Sequence, residues 1–337
     1  MNKEELLNRF TIKTEKPLTR GFCEVDGKKY YCLTNNKSTY QTVPMDSFTY
    51  YIFMRAFHDM AKSIGAESVY PEFVNVQYDN GYLSGDIITE DFSHGEEKLE
   101  TQYINEGDKI GECNGCLIRY DGITLTEEAR QFKRLSEFYN NPQIYQEFIK
   151  HFLFHLYIGD EDFHTKNIEF FKQNGRVYRV SPMYDYGYVY YLNENCANYT
   201  EEGISFYTSH LLPEFAQEEH VADDRENYGA EYTFEQFKNL CYMDKNIVSK
   251  RKVMAGYFNS FEEQDKLLVK LIYDLEDKQF VENLLNINID ECLKDDLYND
   301  NLKEIIKVGT IPTKNIIQRA YDKYRSVFYH DNINEGM

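Results

Sequence analysis

A chain of 337 residues with a formal net charge of -20 and a sequence pI near 4.9 can bury a sizeable core, and two lobes of ordinary size are expected. So acidic a surface argues against a protein built to neutralise nucleic-acid phosphates or to lie on anionic lipid. No stretch has the continuous apolar length of a membrane span, and no apolar signal region follows Met1-Asn2-Lys3-Glu4-Glu5. With seven scattered cysteines, which fit reduced thiols better than a disulfide framework, the expectation is a cytoplasmic protein with no direct nucleic-acid or membrane partner.

Residues 1–16 form a charged lead-in, open to a helical reading, with Leu6, Leu7 and Phe10 as its apolar anchors. Gly21 to Val25 and Lys28 to Leu33 flank Asp26-Gly27, a strong hairpin signal. Residues 37–46 are polar and irregular. From Ser47 to Ile64 the apolar residues Phe48, Tyr51, Ile52, Ala56, Met60 and Ile64 recur at helical spacing, with Asp46 or Ser47 as N-cap and Gly65 as the stop. Glu72 to Tyr78 and Tyr82 to Ile88, joined through Asp79-Asn80-Gly81, predict a second hairpin. Residues 17–100 thus predict a small mixed α/β lobe.

An acidic, turn-rich connection spans 101–126. Helices are predicted over Glu127–Phe138 and Gln143–Tyr157, the second with Ile144, Phe148, Ile149, Phe152, Leu153 and Leu156 on a broad apolar face. Beyond Tyr190 the chain is polar and irregular to about Tyr232. From Phe234 it is mostly helical, with Leu267, Leu268, Leu271, Ile272 and Leu275 as one stripe. The fold class is therefore α+β, with residues 127–337 as a larger, mainly helical lobe.

The segment 158–190 carries the chemistry. A turn containing Asp160, Glu161, Asp162, His164, Lys166 and Asn167 follows the second helix directly. Ile168 to Phe171 and Val177 to Val180 then read as a hairpin around Gln173-Asn174-Gly175, whose second strand delivers Tyr184-Asp185-Tyr186-Gly187. The hairpin brings Asp162 and Asn167 close to Asp185. An Asp followed five places later by Asn, then a later Asp-x-Gly, is the arrangement that protein kinases use for phosphoryl transfer. On that pattern Asp162 orients the attacking hydroxyl or accepts its proton. Asn167 and Asp185 ligate magnesium on the nucleotide phosphates through hard oxygens, and Lys166 adds positive charge near the transferring group. Asp and Asn are also ordinary turn formers; it is the order, the spacing and the intervening hairpin together that favour chemistry over a solvated acidic loop.

Gly159, Asp162, His164, Lys166, Asn167, Pro182, Tyr184 and Asp185 resemble the catalytic segment of the HipA-like kinases, in which G-(N/D)-x-D-x-H-x-K-N precedes a strand and an S/T/A-P-x-Y/F-D sequence. The stretch from Tyr82 to Leu99 resembles the family's exit from the small lobe, with Asp91-Phe92 in the corresponding place. The resemblance implies a two-lobed protein-kinase-like fold, ATP and Mg2+ as cofactors, and a protein substrate phosphorylated on Ser or Thr. It also implies a bracing role for His164 through hydrogen bonds to backbone. Family members include toxins paired with a DNA-binding antitoxin, which makes an antitoxin-type partner an implication as well. Some members are silenced by phosphorylation of residues in a nucleotide-covering loop, and Thr39, Thr42, Ser47 and Thr49 lie in the loop and helix start where such a segment is expected.

Two family features are missing. Leu33-Thr34-Asn35-Asn36 stands where the phosphate-binding lysine belongs, and Phe48-Thr49-Tyr50-Tyr51 where its glutamate partner belongs. Lys29 or Lys37 can supply the cation if the lobe is shifted in register; Arg20 or Lys37 can reach phosphate from another direction. The alternatives are a pseudokinase or nucleotide-gated module, and a small-molecule phosphotransferase or nucleotidyl (AMP) transferase on the same scaffold. Cys113 and Cys116 form a single C-x-x-C pair without the further ligands that a zinc site needs. His151 and His155, four apart on an apolar helix, read as buried or interfacial residues, not as metal ligands.

Overall fold

The computed structural model describes residues 11–14, 21–25, 27–32, 47–78, 83–99, 125–158, 160, 163, 167–185, 270–275 and 278–298, and shorter pieces of 300–323. Its elements are β1 (Thr11–Thr14), β2 (Gly21–Val25), β3 (Lys28–Cys32), α1 (Ser47–Ser63), β4 (Pro71–Tyr78), β5 (Leu83–Glu90), β6 (Glu97–Lys98), α2 (Leu125–Phe138), α3 (Pro142–Ile158), β7 (Phe170–Gln173), β8 (Arg176–Val180), α4 (Lys278–Leu285) and α5 (Ile289–Cys292). The class is α+β, as expected.

Five strands form one sheet in the order β1-β4-β5-β3-β2. Both predicted hairpins are present. β2 and β3 pair antiparallel about a turn in which Gly27 has a φ of 77°, a conformation closed to most side chains. β4 and β5 pair antiparallel from Pro71 opposite Thr89 to Gln77 opposite Leu83. The lead-in, open to a helical reading, instead contributes β1, which lies parallel to β4 with Thr11 opposite Asn75. The run Thr11-Ile12-Lys13-Thr14 is rich in β-branched residues, and these favour the pleated sheet once an edge strand offers a partner.

α1 ends where Gly65 forces it to. Gly65 has a φ of 71°, its N–H donates to the Lys62 carbonyl at 3.0 Å, and the Ala66 N–H reaches back to the Ala61 carbonyl at 2.9 Å, the paired bonds of a left-handed helix stop. Burial on α1 is broader than the predicted stripe, because Phe53, Met54, Phe57 and Ala61 are buried too. The helix lies against β4 and β5 and also against α5, so more than one face is covered.

α2 and α3 form a helical hairpin whose local chemistry is explicit. Asn140 adopts a φ of 48° and Asn141 N–H donates to the Ser136 carbonyl at 2.9 Å, closing α2. The Asn141 side chain then accepts from Gln143 N–H at 3.1 Å and caps α3, with Pro142 at the first helical position, where its missing N–H costs nothing. Its amide also donates to the Val177 carbonyl at 3.0 Å, tying the helix start to β8. Phe132 of α2 stacks on Phe148 of α3 at 4.1 Å between ring centroids.

β6, β7 and β8 make a second, three-stranded sheet. The β7–β8 turn is Asn174-Gly175, both with positive φ (53° and 74°), the two-residue hairpin that matches strand twist. The first strand begins at Phe170, two residues later than the sequence suggests, because Glu169 N–H bonds to the Ser181 side-chain oxygen at 3.1 Å and not to a backbone carbonyl. Leu271, Ile272 and Leu275 of the predicted stripe are buried, as are Phe280, Val281, Leu284 and Leu285 of α4; Leu267 and Leu268 lie outside the described residues. The buried side chains of all these parts form one continuous apolar cluster. No described helix is long and apolar enough to cross a membrane. Arg20, residues 37–46, Cys113, Cys116 and the segment from Tyr190 to Tyr232 also lie outside the described residues.

Candidate functional site

α3 is so apolar that twelve of its residues from Ile144 to Ile158 are buried, His151 and His155 among them. At its end the Asp160 N–H donates to the His155 carbonyl at 2.9 Å. The His155 ring then donates from Nδ1 to Asp160 Oδ2 at 2.7 Å, with both side chains buried. Phe163 stacks on His155, its ring 4.1 Å away and 14° from parallel. Asn167, three residues before β7, is 2% exposed.

The segment after β8 is held from three sides. Ser181 N–H donates to the Glu169 carbonyl at 2.8 Å, and the Ser181 carbonyl faces His151 Nε2 at 3.2 Å. Met183 exchanges backbone bonds with the strand-like residues after α1: its N–H donates to the Glu67 carbonyl at 2.9 Å, and its carbonyl accepts from Val69 N–H at 2.9 Å. Tyr184 packs on Phe92 at 5.2 Å between centroids. Burial pushes its phenol well above the ordinary range, helped by the nearby Glu169, Asp185 and Tyr31.

These anchors deliver Asp185, and Asn167 meets it: Asn167 Nδ2 donates to Asp185 Oδ2 at 2.9 Å. Asp185 has a φ of 61°, the left-handed region. A non-glycine residue there costs on the order of 1 kcal/mol and persists where its surroundings fix it. The predicted convergence of Asn167 and Asp185 is therefore present. Asp162, His164 and Lys166 lie outside the described residues, as does Lys37. An amide and a carboxylate oxygen are the hard donors that magnesium takes, so the pair fits that ion by chemistry. Among the described residues, no three His, Cys, Asp or Glu side chains group as a metal site.

Lys29 has a defined partner. Its ammonium lies 3.2 Å from Asp91 Oδ2 at the exit of β5, where Asp91 N–H also donates to the Lys29 carbonyl at 3.0 Å. Burial pushes the Asp91 carboxyl up, but hydrogen bonds from the Ser93 hydroxyl and amide, with Lys29, outweigh it and hold the group below the usual carboxylate range. On α1, the residues near the missing glutamate make a different set of contacts. Arg55 donates to the Tyr51 hydroxyl at 3.0 Å, lies 4.7 Å over the Tyr70 ring and reaches Asp295 at 3.8 Å.

Sequence reasoning passed over several supporting residues. Arg179 lies 4.0 Å over the Phe171 ring, donates to the Phe92 carbonyl at 2.7 Å and pairs with Glu96 at 2.8 Å, binding β8 to the exit of β5. The Asp160–His155 pair had a signal, a polar residue at the helix end five places from a histidine on an apolar face. Arg179 and Arg55 had none, since their partners are remote in the chain.

Residues 118–252 match the HipA-like C-terminal domain. The fold search finds similarity to the crystal structure of a Helicobacter pylori proinflammatory kinase, CtkA, at 12% identity over 93% of this chain and 94% of that one, with a TM-score of 0.44. It also finds the Shewanella oneidensis toxin–antitoxin complex of HipA, HipB and operator DNA, at 12% identity over 88% of this chain and 59% of that one, with a TM-score of 0.36. No curated protein matches the sequence. The span 118–252 that resembles the HipA-like C-terminal domain holds both Asn167 and Asp185.

Proposed function

We propose that this chain is a HipA-like, two-lobed kinase that transfers the γ-phosphoryl group of ATP, with magnesium, to a Ser or Thr hydroxyl of a protein. The observation that carries this is the 2.9 Å bond between Asn167 and a left-handed Asp185, inside the family-matched span. Asn167 and Asp185 would hold the ion, which neutralises charge on the nucleotide phosphates when bound. Asp162 receives the proton of the attacking hydroxyl, Lys166 stabilises charge on the transferring group, and His164 braces the turn. The five-stranded sheet covers the nucleotide, with the cation coming from Lys29 or Lys37.

The protein works in the cytoplasm. An antitoxin-type protein is its proposed partner, and with a net charge of -20 any DNA contact runs through that partner.

A nucleotide-gated module without transfer is the second reading, favoured by one observation. On α1, Arg55 engages Tyr51 and Asp295, and Lys29 engages Asp91, an arrangement different from the lysine–glutamate pair on which kinases rely. Intact mass after incubation with ATP, magnesium and a mixed protein substrate separates the possibilities. Phosphoryl addition to protein supports the kinase; adenylyl addition points to nucleotidyl transfer; no addition despite nucleotide binding points to the gated module.

A further inference from the structure

Two buried histidines one helical turn apart each grip one of the two segments that meet at the site. His155 and His151 lie on the same face of α3, with ring centroids 6.3 Å apart and planes within 21°; they are 0% and 1% exposed. His155 holds Asp160 through Nδ1 and Phe163 by stacking. Asp162 stands in the chain between these two residues, so both of its flanks are fixed to a single ring. His151 holds the Ser181 carbonyl through Nε2, four residues before Asp185, in the segment after β8 whose bonds to Glu169 and Glu67 deliver that aspartate.

We infer that the His151–His155 pair is a bracket that sets the spacing between Asp160 and Phe163, which flank Asp162 in sequence, and the segment leading to Asp185, making both histidines positioning residues for the reaction. Helix α3 supplies the rigidity. Its rise and pitch fix the two rings relative to each other, and their burial in a close-packed interior limits how far they can adjust. Neither ring touches the transferred group. Their effect is on alignment, and a misplacement of about 1 Å at a reacting centre can cost about a hundredfold in rate.

The functional half of this inference rests on the kinase reading; the structural half does not. Four variants of the full chain test it: His155→Leu and His151→Leu remove each grip, while His155→Asn and His151→Gln return an amide nitrogen near the position of the bonded ring nitrogen. Magnesium-dependent phosphoryl transfer is measured as kcat and KM for ATP, beside hydrogen exchange of residues 160–168 and 181–185.

The expected result is a kcat lowered about 10- to 100-fold in each leucine variant, a KM within about twofold, and recovery of most of the loss in the amide variants. Amides of 160–168 exchange faster in His155→Leu, and those of 181–185 in His151→Leu. A leucine variant with wild-type kcat overturns the positioning role, and so does an equal loss in leucine and amide variants. Should the wild-type chain transfer nothing, the kinase reading falls, and exchange alone decides the bracket. Segment-specific acceleration then upholds it, and unchanged exchange in both leucine variants overturns it.

Discussion

The two sides of the candidate site are built on different terms. On the α3–β7–β8 side, hydrogen bonds converge on Asp185 and on the residues that anchor its surroundings: Asn167 on Asp185, His155 on Asp160, His151 on Ser181, and the backbone of Glu67 and Val69 on Met183. On the five-stranded side, the polar groups that a kinase would aim at phosphate hold the scaffold together. Lys29 braces the exit of β5 through Asp91, and Arg55 ties α1 to Asp295 beyond α5. One side is organised around the Asn167–Asp185 pair and the other around its own connections; on the kinase proposal, phosphate would be met by other means than the usual lysine–glutamate pair.

The largest effect should come from the organised side. Asp185→Ala removes a proposed magnesium ligand and the partner of Asn167, and phosphoryl transfer should fall about a thousandfold, since an ion at this position contributes several kcal/mol of charge stabilisation. Steady-state incorporation of labelled phosphate measures it.

Next comes the tie between α1 and the C-terminal residues. Arg55→Met leaves Asp295 and the Tyr51 hydroxyl without the guanidinium, and should cost about 2 kcal/mol in urea unfolding. A loss near zero would mean that α1 is held by its apolar face alone.

A pH prediction sharpens the contrast in burial. Burial, and then the neighbouring His155, lower the His151 pKa to about 3, whereas the unfolded value is about 6.5. Between these values the unfolded chain binds more protons than the folded one, so stability is full above about pH 6.5 and declines as pH falls toward 3. One such group adds at most about 1.4 kcal/mol per pH unit to the slope. Urea titrations at pH 7 and 5 should show a shallower dependence in His151→Phe than in the wild type.

The smallest effect belongs to Lys29. Its side chain is 51% exposed, and a solvent-screened pair contributes at most about 1 kcal/mol. Lys29→Met should therefore change unfolding by no more than that. If the same variant also raises KM for ATP about tenfold or more, Lys29 is the phosphate cation as well as a brace; an unchanged KM leaves the role to Lys37 or Arg20.

Much of this contrast was legible in the sequence, for identifiable reasons. Short-range signals carry their own geometry: Asp26-Gly27 and Asn174-Gly175 each gave a hairpin, and Gly65 gave the helix stop, because positive φ at those places leaves few alternatives. The meeting of Asn167 and Asp185 followed from the hairpin between them. What the sequence concealed depends on contacts distant in the chain. Thr11–Thr14 becomes a strand only because β4 offers an edge. Phe53 and Phe57 are buried off the predicted stripe, on a helix that packs against β4, β5 and α5. Arg55 and Arg179 find carboxylates 240 and 83 positions away, distances at which no spacing rule operates.

On the proposed reading this chain transfers a phosphoryl group from ATP with magnesium, and Asp162 receives the proton of the attacking hydroxyl. The most direct measurement is phosphate incorporation from ATP by the wild-type chain and by Asp162→Ala, each with magnesium and with the metal chelated, alongside nucleotide binding by calorimetry. Incorporation that needs magnesium and disappears in Asp162→Ala, while nucleotide still binds, is the predicted result. Wild-type and variant chains that bind nucleotide equally and incorporate nothing, or incorporate it equally, would contradict it.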